Sequence, residues 1–132
     1  MTSPGPGIKP VIWIGSAKSD LSAFPEEVKD SIGFGLYVAQ QGGKHPDAKP
    51  LKGFAGARVL EIIEDYDGDT YRAVYTVRLA GRVYVLHSFQ KKSKSGISTP
   101  KPEVNLIKSR LKRAEEEHRA WLNQQIGIKG HG

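Results

Sequence analysis

Apolar positions along this chain recur in two rhythms, and the change from one to the other divides it into elements. Val11, Ile12, Trp13 and Ile14 form a short β-branched and aromatic run closed by Gly15, which predicts an opening strand. Residues 20–24 predict a helical turn. Pro25 follows, a residue favoured at the first helical position, with Glu26 and Glu27 beside the positive end of the helix dipole. Val28, Ile32, Leu36 and Ala39 then return at helical spacing up to the Gly42-Gly43 stop. Gly33 and Gly35 inside this helix each cost ~1 kcal/mol relative to Ala, so either something approaches the backbone closely there or the helix is weak.

Residues 43–57 read as a loop, with five Gly or Pro and lysines at 44, 49 and 52. A loop of that length in a small domain is usually functional or mobile. Alternation then takes over in residues 59–64, 70–79 and 82–89, joined by an Asp67-Gly68-Asp69 turn and a two-residue Ala80-Gly81 turn. Short turns of this kind make antiparallel hairpins, so the block predicts a β-meander. In the second run Arg72, Val74, Thr76 and Arg78 share one face; in the third, Val83, Val85, His87 and Phe89 do. A polar stretch follows over residues 91–102. Pro102 and Glu103 then open a final helix with its apolar stripe at Val104, Ile107, Leu111, Ala114, His118 and Trp121. Gly127 and Gly130 predict a frayed end. The expected organisation is a flexible tail over residues 1–9, one domain over 10–126 and a second flexible tail over 127–132.

Charge alters this picture more than size does. The 132 residues carry 20 Lys+Arg against 14 Asp+Glu, a net charge of +6. All of that excess lies in residues 87–132, because residues 1–86 hold ten basic and ten acidic groups. Such asymmetry points to a polyanionic partner, since neutralised phosphates supply much of nucleic-acid affinity. No apolar run approaches the length of a membrane span, and the first ten residues lack the basic start and apolar core of a signal peptide. With no cysteine there is no disulfide, thiol nucleophile or thiolate-held metal, and the expected location is cytoplasmic.

Most site chemistries drop out. The histidines at 45, 87, 118 and 131 lack ligand spacing, so no metal or other cofactor is expected. Serine-hydrolase, P-loop and dinucleotide signatures are absent. What remains is a set of cations at strand ends: Arg72 in TYRAVY, Lys91 and Lys92 in HSFQKK, and Lys52 before the meander. Neighbouring antiparallel strands would bring Arg72 and the lysine pair into one patch, and a strand-held guanidinium suits a phosphate. His87 is the nearby side chain that titrates near neutrality. The residues alone reach a small basic α+β domain with RNA as the expected ligand. Each cation has a plainer role too, as a solvated strand face or strand end, and His87 as a hydrogen-bonded core residue.

The assembled strings are more specific. LKGFAGARVLEI, TYRAVYTV, VYVLHSFQKKSKSG and TPKPEVNLIKSRLKRAEEE, in that order, resemble the HigB-like, phage-derived branch of the RelE/ParE toxin superfamily, over most of residues 11–122. The resemblance implies a small curved antiparallel sheet packed against N-terminal helices, with a basic C-terminal helix. It also implies a type II toxin that cleaves mRNA on the ribosome without metal. A cognate helix-turn-helix antitoxin would neutralise it, so that DNA is met only through that partner. By matching motif, Arg72 corresponds to the arginine of the YR strand, Lys91 and Lys92 to the basic pair, and Lys52 to the LKG lysine. The chain departs from many relatives at Leu60-Glu61-Ile62-Ile63, where they carry a strand arginine.

On this reading a 2′-OH attacks its own 3′ phosphate. Arg72 meets the transition-state charge, Lys91 or Lys92 binds phosphate or moves a proton, and His87 is an alternative acid or base. Phe89 stacks on a base or, as its plainer role, packs in the core, and Lys44, Lys49, Lys52 and Lys94 bind RNA along with the last helix. Replacing Arg72 by Ala is expected to cut cleavage ~10²–10³-fold with the fold intact. The alternatives are a ParE-like gyrase inhibitor and a non-catalytic RNA-binding module.

Overall fold

A computed structural model describes residues 7–91 and 99–131, without the side chains of Ala57 and residues 127–131. The elements run β1 (Val11–Trp13), α1 (Ala17–Ser22), α2 (Glu26–Gln40), β2 (Ala48–Pro50), β3 (Val59–Tyr66), β4 (Asp69–Thr76), β5 (Val83–Lys91) and α3 (Lys101–His131). The strands form one open sheet in the order β1-β5-β4-β3-β2. It is mixed rather than purely antiparallel, because β1 lies parallel to β5, pairing Val11 with Val83 and Trp13 with Val85.

Helices cover both faces. On one, Val28, Ile32, Leu36 and Ala39 of α2 pack against Leu60, Ile62, Ala73, Tyr75, Val83 and Val85. On the other, Ile107, Leu111 and Ala114 of α3 pack against Val59, Val74, Tyr84, Leu86 and Phe89. The stripe expected on the last helix is therefore its buried face, and Lys108, Lys112, Arg113 and Arg119 stand exposed on its outer side. At ~1.5 Å per residue α3 is ~46 Å long, and it continues through Gly127 and Gly130 to His131 where fraying is expected.

Two features of the meander differ from the expectation. Between β3 and β4 the turn is as predicted: Asp67 (φ 51°) and Gly68 (φ 86°) take the two left-handed positions of a tight hairpin, bracketed by the Tyr66–Asp69 pair. Between β4 and β5, however, the connection spans residues 77–82 rather than two. Val77 extends the pairing with the β3 side, donating its N–H to the Arg58 carbonyl at 3.1 Å, and the Trp121 ring of α3 sits against Gly81.

The second difference is a bulge in β5. Val74 faces His87 while Tyr75 faces Val85, so Leu86 is the extra residue. An inserted residue reverses the alternation beyond it. His87 and Phe89 therefore leave the face of Val83 and Val85 and join Arg72 and Glu61 under α3, a correction to the pattern read from the sequence.

The stretch over residues 43–57 is also more ordered than its composition predicts. Ala48, Lys49 and Pro50 pair antiparallel with Ile62, Glu61 and Leu60, making β2 an edge strand. Pro50 is tolerated there because an edge strand has one side that needs no ladder donor. Ala55–Ala57 adds a turn of 3-10 helix. Gly35 has a packing reason: a Cβ there would come within 2.8 Å of Ile62 Cδ1, so the helix sits on β3 as closely as glycine allows.

Candidate functional site

Arg72 stands mid-strand in β4 between Ile63 of β3 and Phe89 of β5. Its side chain does not reach solvent: the residue is 1% exposed, and Glu61 beside it 3%. Arg72 Nη1 donates to Glu61 Oε1 at 3.4 Å and to Thr99 Oγ1 at 3.1 Å. Thr99 Oγ1 in turn donates to Glu61 Oε2 at 3.0 Å, closing a three-membered network. Arg72 Nε has no partner among the described residues. An alanine at 72 would strand a buried carboxylate, so that variant is expected to lose stability as well as any role of Arg72 in the site.

Glu61 and Thr99 reach a cleft of ≈ 210 Å³ that Lys49, Pro50, Leu51, Lys52 and Val104 complete. Edge strand β2 and the residues after it form one wall, and the first turn of α3 forms the other. Lys49 and Lys52 are exposed at its rim. The arrangement is a carboxylate floor, apolar sides and two ammonium groups at the mouth. Arg72 lies behind that floor and holds Glu61 rather than lining the cavity.

His87 is also enclosed. Its Nε2 lies 2.6 Å from Glu103 Oε1, and its Nδ1 lies 3.3 Å from Arg110 Nη1. A guanidinium can only donate, so Nδ1 accepts and the ring proton sits on Nε2, donated to Glu103. Phe89 stacks on the imidazole at 4.9 Å between centroids and 19° between planes. Arg110 further donates to the Leu86 carbonyl and to Ser16 Oγ, lying across Gly15 (φ 57°), where a Cβ would stand 2.9 Å from the guanidinium. This set fastens α3 to β5 and to the start of α1.

Of the other expected residues, Lys91 is half-buried at the end of β5, on the face of Arg72, and is engaged within the fold. Lys92 and Lys94 lie outside the described residues. Lys44 is exposed between Gly43, which packs on Val38, and His45, whose ring meets Phe34 edge-on, so it belongs to the α2 side and not to the cleft. The structure thus gathers Lys49, Lys52 and, behind them, Arg72. It adds Glu61 and Thr99, which the sequence reading missed. The available signal was Glu61 itself, a lone acid in the apolar run Val59-Leu60-Glu61-Ile62-Ile63.

Glu64 and His118, away from the cleft, are both shifted from their ordinary values. Burial, then a hydrogen bond and repulsion from Asp47 with a further push from Asp65, raises the Glu64 carboxyl to about 7. Burial, then the nearby Arg82 guanidinium, lowers His118; its Nδ1 lies 3.0 Å from the Tyr84 hydroxyl and its Nε2 has no partner among the described residues. Among the described residues no group of His, Asp and Glu could hold a metal ion, and no helix is long and apolar enough to cross a membrane.

Fold and cleft together define the class: a small, net basic α+β domain with helices on both faces of one open sheet. The family model described as phage derived protein Gp49-like matches residues 19–112. That is well over half of the chain, and the chain belongs to this family, a RelE-like, toxin-like group often found in toxin–antitoxin systems. Membership implies an antitoxin partner. No curated protein matches the sequence.

Proposed function

We propose that this Gp49-like protein is the toxin of a type II pair and cleaves ribosome-bound mRNA at the lysine-rimmed cleft. The observation that carries the reading is the Glu61 carboxylate, fixed by Arg72 and Thr99, at the floor of a cavity whose mouth holds Lys49 and Lys52. Cleavage by the 2′-OH needs a proton acceptor beside that hydroxyl and cations around the extra charge on phosphorus. Glu61 takes the 2′-OH proton as the oxygen attacks the adjacent phosphorus. The P–O5′ bond breaks, a rim ammonium protonates the departing oxygen, and the products are a cyclic phosphate and a 5′-OH.

In this scheme Arg72 is a positioning residue, because its guanidinium meets Glu61 and Thr99 and not the cavity. His87 fastens α3, with both ring nitrogens engaged. Lys91 at the end of β5, the following Lys92 and Lys94, and the exposed basic face of α3 extend phosphate contacts along ribosomal RNA. The partner is a helix-turn-helix antitoxin, and DNA is contacted through it alone.

The test is induction of the gene in cells while transcripts and translation are followed. Rapid shortening of messages with new 5′-OH ends and arrested synthesis supports the proposal. Intact messages with a DNA-damage response would instead make it a gyrase poison, and unimpaired growth would make it a passive binder.

A further inference from the structure

The outer face of α2 carries an aromatic pair in light contact with the fold, Phe34 meeting the His45 ring edge-on at 5.6 Å and the Tyr37 hydroxyl accepting from Gln41 Nε2 at 3.4 Å. Phe34 is 58% exposed and Tyr37 44%, although both are large aromatic groups. With ~100° between successive helical residues, Asp30, Gly33, Phe34, Tyr37 and Gln41 fall on a single outward stripe. Gly33 lies within that stripe, and a Cβ there would meet no described atom within 4 Å. Gly35, two positions on, is required by Ile62; Gly33 has no such reason among the described residues, yet it costs the helix ~1 kcal/mol. An exposed aromatic pair beside an open helical glycine has the shape of a helix-docking face, with knobs and a hole on the same surface.

We propose that the occupant is α2 of a second copy of this chain, packed antiparallel about a two-fold axis. The stripe is self-complementary in that arrangement. An axis through its middle seats Tyr37 of each copy over Gly33 of the other, stacks the Phe34 rings near the axis, and sets Asp30 against Gln41. Charge runs the same way. The first half of α2 carries Glu26, Glu27 and Asp30 against the single cation Lys29, which pairs with Glu26 at 2.7 Å, whereas its far end is bordered by Lys44 and by Lys9, whose backbone is tied to Gln40. An antiparallel pair brings each acidic end to the other copy's basic end, and the helix dipoles oppose favourably. The acidic end also makes this an unsuitable surface for RNA. Because α2 lies on the sheet face opposite α3, the dimer leaves the cleft wall formed by α3 uncovered.

One helix pair buries less than the ~1,200 Å² of a standard interface, so the dimer is reversible, with Kd of ~10–100 µM. Sedimentation velocity on the full chain from ~1 µM to ~1 mM should show the 14.5 kDa species giving way to one of twice that mass. Phe34→Arg should abolish the shift with an unchanged circular dichroism spectrum. Gly33→Ala should raise the thermal midpoint of the monomer yet weaken dimerisation about tenfold, because its methyl group fills the seat of Tyr37. A wild-type chain monomeric throughout, or a Phe34→Arg chain that dimerises normally, overturns the proposal. So does a monomeric wild type whose Phe34→Arg variant loses co-purification with the antitoxin, which would assign the face to that partner.

Discussion

The Arg72–Glu61 pair offers a stability measurement whose size follows from its burial. At 1% and 3% exposure both charges are out of water, joined at 3.4 Å and linked by Thr99. Removing one partner of such a pair strands the other charge and costs ~3–5 kcal/mol, whereas replacing both by apolar groups of similar volume is often neutral or stabilising. Arg72→Met and Glu61→Leu should therefore each destabilise by ~4 kcal/mol. With an unfolding entropy of ~2.1 cal/mol/K per residue, that lowers Tm of this domain by ~15 °C. The double variant should recover most of the loss, giving a coupling energy of ~3 kcal/mol or more. Urea denaturation followed by circular dichroism reads all four proteins, and an unchanged m-value shows that the folded states are comparable. Single variants that lose less than ~1 kcal/mol, the range of an exposed ion pair, would refute the buried network. So would losses that simply add.

Three further outcomes follow from the same structure. Glu64 binds its proton more tightly folded than unfolded, so its contribution is fully present below the ordinary carboxyl value near 4.5 and is lost as pH rises through about 7; Tm against pH should fall across that window, and Glu64→Gln should flatten it. His118 has the opposite sense: its folded value is lowered from 6.5, so its contribution is complete above that pH and is lost as pH falls; His118→Phe should lessen the acid-side decline in a pH series of thermal melts. Gly35→Ala should destabilise by ~1–3 kcal/mol through overpacking against Ile62, measured by urea denaturation.

Much of the architecture was legible because each long element carries one strong period. The stripe Ile107, Leu111, Ala114 and His118 repeats every three or four residues and is the buried face of α3. Asp67-Gly68 has the turn chemistry of its hairpin. The site was less legible, for three physical reasons. One extra residue in β5 reversed the faces of His87 and Phe89, and a strict alternation cannot register a bulge. The Pro- and Gly-rich composition around Pro50 concealed an edge strand, so Lys49 and Lys52 read as loop charges although β2 fixes Lys49 opposite Glu61. Finally, Arg72 read as an exposed cation because its neutralising partner lies on another strand, eleven residues away, and its second partner, Thr99, precedes the last helix. Pairings of that kind depend on register and are not visible in local spacing.

The cleft's role is tested most directly by defined mRNA on translating ribosomes, with 5′-OH ends mapped for the wild type and for Lys49→Gln/Lys52→Gln. These rim positions are exposed, so the doubly substituted protein keeps its fold. Cleavage by the wild type that falls ~10²-fold or more in the variant, the scale of losing preorganised charge at a transition state, is the predicted result. Uncut mRNA with the wild type, or equal cutting by both proteins, would contradict it.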